Sequence, residues 1–259
     1  MTSIRNALGP SRSTRSSLRS YHRVTRTATF SFISTVPLLL AYEVLVRIAN
    51  WGELGQIRVG ADVWLHQLFA LFGLTGTTAL SVGILATGVA IVYWERKKHI
   101  PLRPSYFGAI LAESTIFAIV LTGVVSMVVG AIFMMAPQAH VLAATFEQHG
   151  LLMQIALSLG AGFYEELFFR VLLVGGLYVA LNYLLNDQTR SYVWAAFIGA
   201  LLFSAVHYIG PFGDVFTVSS FTYRLLFGLA LNGLFLWRGF AVAAWTHAIY
   251  DVLLVIGFL

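Results

Sequence analysis

The chain has 259 residues, of which 58% are hydrophobic and only 10% charged, with a mean hydropathy of +0.81. A soluble domain carries about 25% charged residues, so this balance excludes one and points to an integral membrane protein whose length suits a single bundle. The net charge of +5 does not point to nucleic acid, because six of the sixteen basic residues precede Phe30 and another group, Arg96-Lys97-Lys98, separates two apolar stretches. Those are the positions of cytoplasmic flanks under the positive-inside rule. With no cysteine, disulfides, iron–sulfur clusters, thiolate zinc sites and cysteine nucleophiles are excluded, and the redox compartment stays open.

Residues 1–29 are rich in Arg, Ser and Thr and contain no acidic residue. They read as a basic, disordered cytoplasmic tail that fixes orientation and can touch anionic lipid. An organelle transit peptide shares that composition, but an apolar segment follows at once, which suits a tail. From Phe30 the chain reads as one transmembrane bundle, residues 30–259. A spanning helix needs about 20 mostly apolar residues, and Phe30–Ile48 fits, with Glu43 and Arg47 spaced to neutralise each other. Trp51–Asp62 reads as an exposed loop. Trp64–Phe72 reads as an amphipathic entry piece, Gly73–Gly76 as a break, and the following run to Trp94 as the second span. Glu95–Pro104 is a basic cytoplasmic loop. The third span runs from about Tyr106 to Met135 with Glu113 near its start, and Pro137–Glu147 is a loop on the other side. A long fourth element covers about Gly150–Leu185, with Gly160 and Gly162 as a break or kink. Tyr192–Tyr208, about Phe221–Trp237 and Ala241–Leu259 complete the set, separated by Asn186–Arg190, by Ile209–Asp214 and at Arg238. The expected fold is therefore all-α: a polytopic bundle of about seven spans, six to eight, around a buried polar cavity.

The fourth element holds Gly162-Phe163-Tyr164-Glu165-Glu166-Leu167-Phe168-Phe169-Arg170. A charge at bilayer depth costs about 2.5–3.5 kcal/mol on insertion scales, and a membrane helix needs no such cluster to fold. Glu166 and Arg170, spaced i, i+4, share a face and can pair. Glu165 lies about 100° further round, so it is left to face another neighbour. The pair thus implies a division of labour, one carboxylate structural and one able to act as a general base. A buried Glu–Arg pair that only locks packing is the bland alternative. His207 ends the fifth span in Phe203-Ser204-Ala205-Val206-His207. Taken singly it reads as a hydrogen-bonded residue at a helix end. His247 and Asp251 share a face of the last span, where Asp251 can orient the imidazole and fix its tautomer. With Glu165 these groups also make a two-His, carboxylate metal set. These boundaries leave His207 near the outer face and His247 nearer the inner one, so either the spans tilt or an end is off by a turn.

The three motifs, Glu165-Glu166-xxx-Arg170, Phe203-xxx-His207 and His247-xxx-Asp251, occur in order on separate spans. Together they resemble the CPBP family of intramembrane endopeptidases, which includes CAAX prenyl proteases and bacteriocin-processing relatives. The resemblance covers about residues 150–255, the family's catalytic core. It implies that Glu165 with His207 activates a water for attack on the scissile carbonyl. His247, with Asp251 beside it, stabilises the oxyanion or holds the site in shape. Glu166 and Arg170 brace the helix, and Phe203 supports the site. It implies a glutamate mechanism without metal in preference to zinc held by Glu165, His207 and His247. The third motif often ends in Asn. Asp251 stands here, and an ionised acid cannot donate a hydrogen bond, so orienting His247 suits it better than contacting an oxyanion.

The implied partners are the bilayer and a membrane-associated protein or peptide substrate, such as a lipidated CAAX protein, a leader peptide or a sorting tail. The oligomeric state is open. The implied location is a bacterial cytoplasmic membrane with the N-terminus inside, or alternatively an organelle membrane. Two other classes compete. A proton-coupled transporter also buries Glu, His and Asp, but it predicts repeats with interrupted helices in both halves, and these residues crowd into the C-terminal half. A non-catalytic scaffold of the same fold would require that the three motifs fail to converge.

Overall fold

The computed structural model describes residues 12–52, 56–73, 79–134, 150–210 and 213–258, with side chains from residue 19 onward. The loop read at Pro137–Glu147 lies outside them, as do parts of the Gly73–Gly76 break and of the turn before Asp214. The described residues are mostly helical, with no strand among them.

The chain runs through α1 (Arg12–Thr25), α2 (Ala28–Ala49), α3 (Gly60–Ala70), α4 (Ala79–Glu95) and α5 (Pro104–Phe133). A continuous 35-residue rod, Leu151–Leu185, follows. It is built of α6 (Leu151–Gly160), a π-helical segment (Ala161–Val174) and α7 (Gly175–Leu185). The chain then continues through α8 (Gln188–Val206), α9 (Val218–Arg238) and α10 (Phe240–Val255). Five segments are long and apolar enough to cross a membrane: α2, α4 with its 3₁₀ extension to Lys98, α5, the 35-residue rod and α8. Helix α10 is apolar but has 16 residues, and α9 carries two buried arginines, Arg224 and Arg238. Large apolar side chains such as Ile116, Val120, Val124 and Met127 on α5 face outward. A bilayer removes the cost of that exposure, and the chain is an integral membrane protein.

Two parts differ from what composition suggests. The second half of the expected disordered tail is helix α1, whose Val24 and Thr25 are buried. Its anchor is polar: the Tyr21 hydroxyl donates to Glu113 at 2.6 Å, and Arg238 pairs with the same carboxylate at 2.5 Å. Those two charges, distant in sequence, fasten the ends of α1, α5 and α9. Near the other end of α2, Glu43 lies 3.6 Å from Arg47, the partner expected from spacing. Its shorter contact is Arg58 at 2.7 Å, and Arg58 also bonds Asp62 at 2.5 Å. Tyr42 donates to Asp62 from α2, and Tyr164 donates to Glu43 from the π segment. The stretch read as an exposed loop up to Asp62 is therefore held against the bundle where Arg58, Val59 and the start of α3 meet α2.

Helix α10 is the hub. Ala241, Val242, Ala243, Ala244 and Ala248 are fully buried, and α10 packs against α2, α5, α6, the π segment and α9. Small side chains let helix backbones approach closely in a membrane, where no hydrophobic drive separates protein from lipid. The closest approach is at Gly162: a Cβ there would lie 2.5 Å from the Ala248 Cβ and 2.6 Å from the Ala244 carbonyl oxygen. Gly160 serves similarly against Tyr42. The two glycines therefore do not break the rod. They mark the place where it presses on its neighbours and changes from α to π hydrogen bonding. Gly162→Ala is expected to destabilise the protein by about 1–3 kcal/mol through overpacking, seen as a lower melting temperature in detergent. An unchanged melting temperature would mean that α10 can back away without cost.

Candidate active site

The π segment carries both glutamates. In a π helix each amide reaches the carbonyl five residues back, so each turn takes up roughly one residue more than in α, and such segments recur at functional sites. Here Glu165 and Glu166, successive residues, approach opposite ring nitrogens of His247. Glu166 is fully buried and meets Arg170 at 3.0 Å, itself only 1% exposed. The Arg170 guanidinium lies over the Phe203 ring, 4.6 Å from its centroid. Glu165, 16% exposed at the side chain, faces a cavity.

Phe203 is the steric centre of the site. Its ring meets Phe169, His207 and His247 edge to face, with centroids 5.2, 4.9 and 5.9 Å away. One aromatic plate thus positions both imidazoles and covers the buried arginine. Such pairs add roughly 0.5–1.5 kcal/mol beyond the area they bury.

His207 caps the end of α8, and its Nδ1 lies 2.7 Å from the carbonyl oxygen of Phe203. A carbonyl only accepts, so Nδ1 carries the hydrogen and Nε2 is left with a lone pair. His247 sits in the middle of α10, which begins at Phe240 and ends at Val255. This short helix removes the depth mismatch implied by the sequence boundaries, and both imidazoles line one cavity of about 480 Å³.

The hydrogen bonding of His247 corrects one expectation. Its Nδ1 is 2.7 Å from Glu166, so Glu166, anchored by Arg170, orients the ring and fixes its tautomer. Asp251, expected to do this, lies 3.6 Å from Nε2, and Glu165 lies 3.9 Å from the same nitrogen. Both distances exceed a direct hydrogen bond, so neither carboxylate holds the ring directly. Glu166 therefore does more than brace a helix: one carboxylate joins the structural arginine to the imidazole of the site.

Among the described residues no three His, Asp or Glu side chains are grouped as a metal site groups its ligands.

Sequence reasoning missed several side chains that line the same cavity: Arg224, Tyr223 and Tyr250, and Asp214 from the α8–α9 connection. Arg224 carried the signal that drew attention to Glu165, a charge inside an apolar segment. It lacked a motif partner in sequence, because Asp214 and Tyr208 reach it only through the fold.

Residues 146–253 match the family model described as type II CAAX prenyl endopeptidase Rce1-like, so this segment is similar to CAAX-protease-type domains. The match takes in the rod, α8, α9 and α10 past Asp251. No curated protein and no solved structure matches the chain.

Removing either partner of the Glu166–Arg170 pair leaves a charge or a strong donor buried without compensation, which costs about 3–5 kcal/mol. Glu166→Gln and Arg170→Ala are each expected to lower the melting temperature markedly. Retention of the wild-type value by both would show that the pair does not hold the site together.

Proposed function

We propose that the protein is an intramembrane endopeptidase in which Glu165 activates a water to hydrolyse a peptide bond of a membrane-associated protein or peptide. The observation that carries this reading is the convergence of Glu165, His207 and His247 on one cavity, with the Glu166–Arg170 pair locked behind them. The Rce1-like match supports the reaction class.

The hydrogen-bond directions suggest how the groups divide the reaction. A water in the cavity can donate one O–H to the Glu165 carboxylate and the other to Nε2 of His207, which turns an oxygen lone pair towards the scissile carbonyl. As the C–O bond forms, Glu165 takes the proton. Nδ1 of His247 is held by Glu166, so a proton on its Nε2 makes the ring a donor to the developing oxyanion. Asp251, facing that nitrogen, favours keeping the proton there. Collapse of the tetrahedral intermediate breaks the C–N bond, and Glu165 returns its proton to the departing amine.

Helices α9 and α10 complete the crossings in this reading, making seven with the five longer segments, and the basic N-terminus stays in the cytoplasm. The cavity between the rod, α8, α9 and α10 is the route for water, since nucleophile and base cannot be sealed by lipid.

Glu165→Gln is expected to lower the cleavage rate by about 10²–10⁴-fold while leaving the melting temperature near wild type. The assay is cleavage of a prenylated CAAX-type peptide by the full-length protein in proteoliposomes. Full cleavage by Glu165→Gln would remove Glu165 as the base.

A further inference from the structure

We propose that Arg224 binds the free C-terminal carboxylate of the peptide substrate, and that Asp214 occupies this place in the present structure. The proposal rests on the peptidase reading above and adds to it a residue that selects substrates by their end.

Among the described residues the arginines enclosed by the bundle each have a carboxylate partner, but the partners differ in kind. Arg170 is held by Glu166 on its own helical rod, Arg238 by Glu113 of α5, and Arg58 by both Glu43 and Asp62. Those carboxylates sit on helices of the bundle. Asp214, the ion-pair partner of Arg224, stands instead on the short connection between α8 and α9. Its backbone amide donates to the His207 carbonyl at 2.8 Å, so rotation of the Asp214 side chain, with the backbone in place, is what frees the guanidinium.

Arg224 is fixed independently of that carboxylate. One of its amino groups donates to the Tyr208 hydroxyl at 2.8 Å, and its guanidinium carbon lies 5.1 Å from the centroid of the Tyr208 ring. Tyr208 is in turn hydrogen-bonded to Ser220 at 2.7 Å. The guanidinium therefore keeps its place when Asp214 moves away, a preorganised fork of the shape that takes carboxylates.

Its position fits the chemistry. Arg224 and Asp214 line the cavity that Glu165, His207, His247 and Asp251 line. Much of the remaining lining is apolar, including Trp64, Phe169, Val206 and Phe227. An apolar peptide end in such a cavity brings one obligatory charge, its terminal carboxylate, which is costly to bury unpaired. Arg224 meets that charge, and its separation from Glu165 then sets how far from the end the chain is cut.

The test uses the full-length protein in proteoliposomes and a quenched fluorescent prenylated peptide with an apolar end and no acidic side chain. The peptide is offered as the free acid and as the C-terminal amide. The quantity read is the acid-to-amide ratio of kcat/KM, which is internal to each preparation and does not depend on the folded fraction. Wild type is expected to prefer the acid by about tenfold or more, the size of a charge-assisted contact. Arg224→Gln brings the ratio close to one, Arg224→Lys retains part of it, and Asp214→Asn, which removes the competing carboxylate, raises it.

Equal cleavage of acid and amide by wild type, with Glu165→Gln inactive, overturns the role of Arg224 while the peptidase reading stands. That role is likewise overturned if Arg224→Gln keeps the wild-type ratio, or if Asp214→Asn lowers the ratio as Arg224→Gln does, the behaviour of a merely structural pair. Cleavage of neither form by wild type sinks the peptidase reading for this substrate class and the assignment of Arg224 with it.

Discussion

A guanidinium enclosed by an apolar bundle is the constraint on which the site depends. Arg170 cannot give up its charge, and water is not at hand to solvate it, so the fold must bring a carboxylate to it. Glu166 meets that need at 3.0 Å. Having been fixed, the same carboxylate accepts from His247 at 2.7 Å and sets which ring nitrogen faces the cavity. An electrostatic requirement of folding thereby becomes the reference point from which an imidazole of the site is aimed. Phe203 closes the arrangement by covering Arg170 and setting the edges of both imidazoles.

The rest of the bundle serves that arrangement by bringing α10 close enough. A run of alanines on α10 and Gly162 on the rod let two backbones come together. The N-terminal half has buried charges of its own, Glu43, Arg58 and Asp62, but these are paired among themselves. Through Tyr164 they are tied to the π segment, and Arg58 reaches the cavity wall. Their role in the architecture is to pin the segment before α3 beside the site. Glu113, Arg238 and Tyr21 do the corresponding work at the opposite side of α5 and α9.

Much of the site was legible in the chain because charge inside an apolar run is improbable without a purpose. Glu165, Glu166 and Arg170 stand out on that ground alone, His207 and His247 only once the three motifs are taken together, and the i, i+4 spacing of Glu166 and Arg170 is enough to anticipate their pairing. Spacing misled where a longer-range partner was better placed. Asp251 sits one turn from His247 and so looked like its orienting group, whereas Glu166, from another helix, holds the imidazole at the shorter distance. Glu43 and Arg47 repeat the lesson, since Arg58 reaches Glu43 more closely than the i+4 neighbour does.

By itself, the sequence determined that this is a helical membrane protein, where most of its apolar segments run, and which ionisable residues are too costly to bury idly. These follow from composition and period, which each stretch of chain carries locally. Only the tertiary structure decided the order of the polar contacts: Glu166 rather than Asp251 on His247, Arg224 beside the site, helix rather than disorder at Arg12–Thr25, and a π turn rather than a kink after Gly160. Each of these depends on a partner distant in sequence or on how closely two backbones can approach, and one-dimensional spacing contains neither.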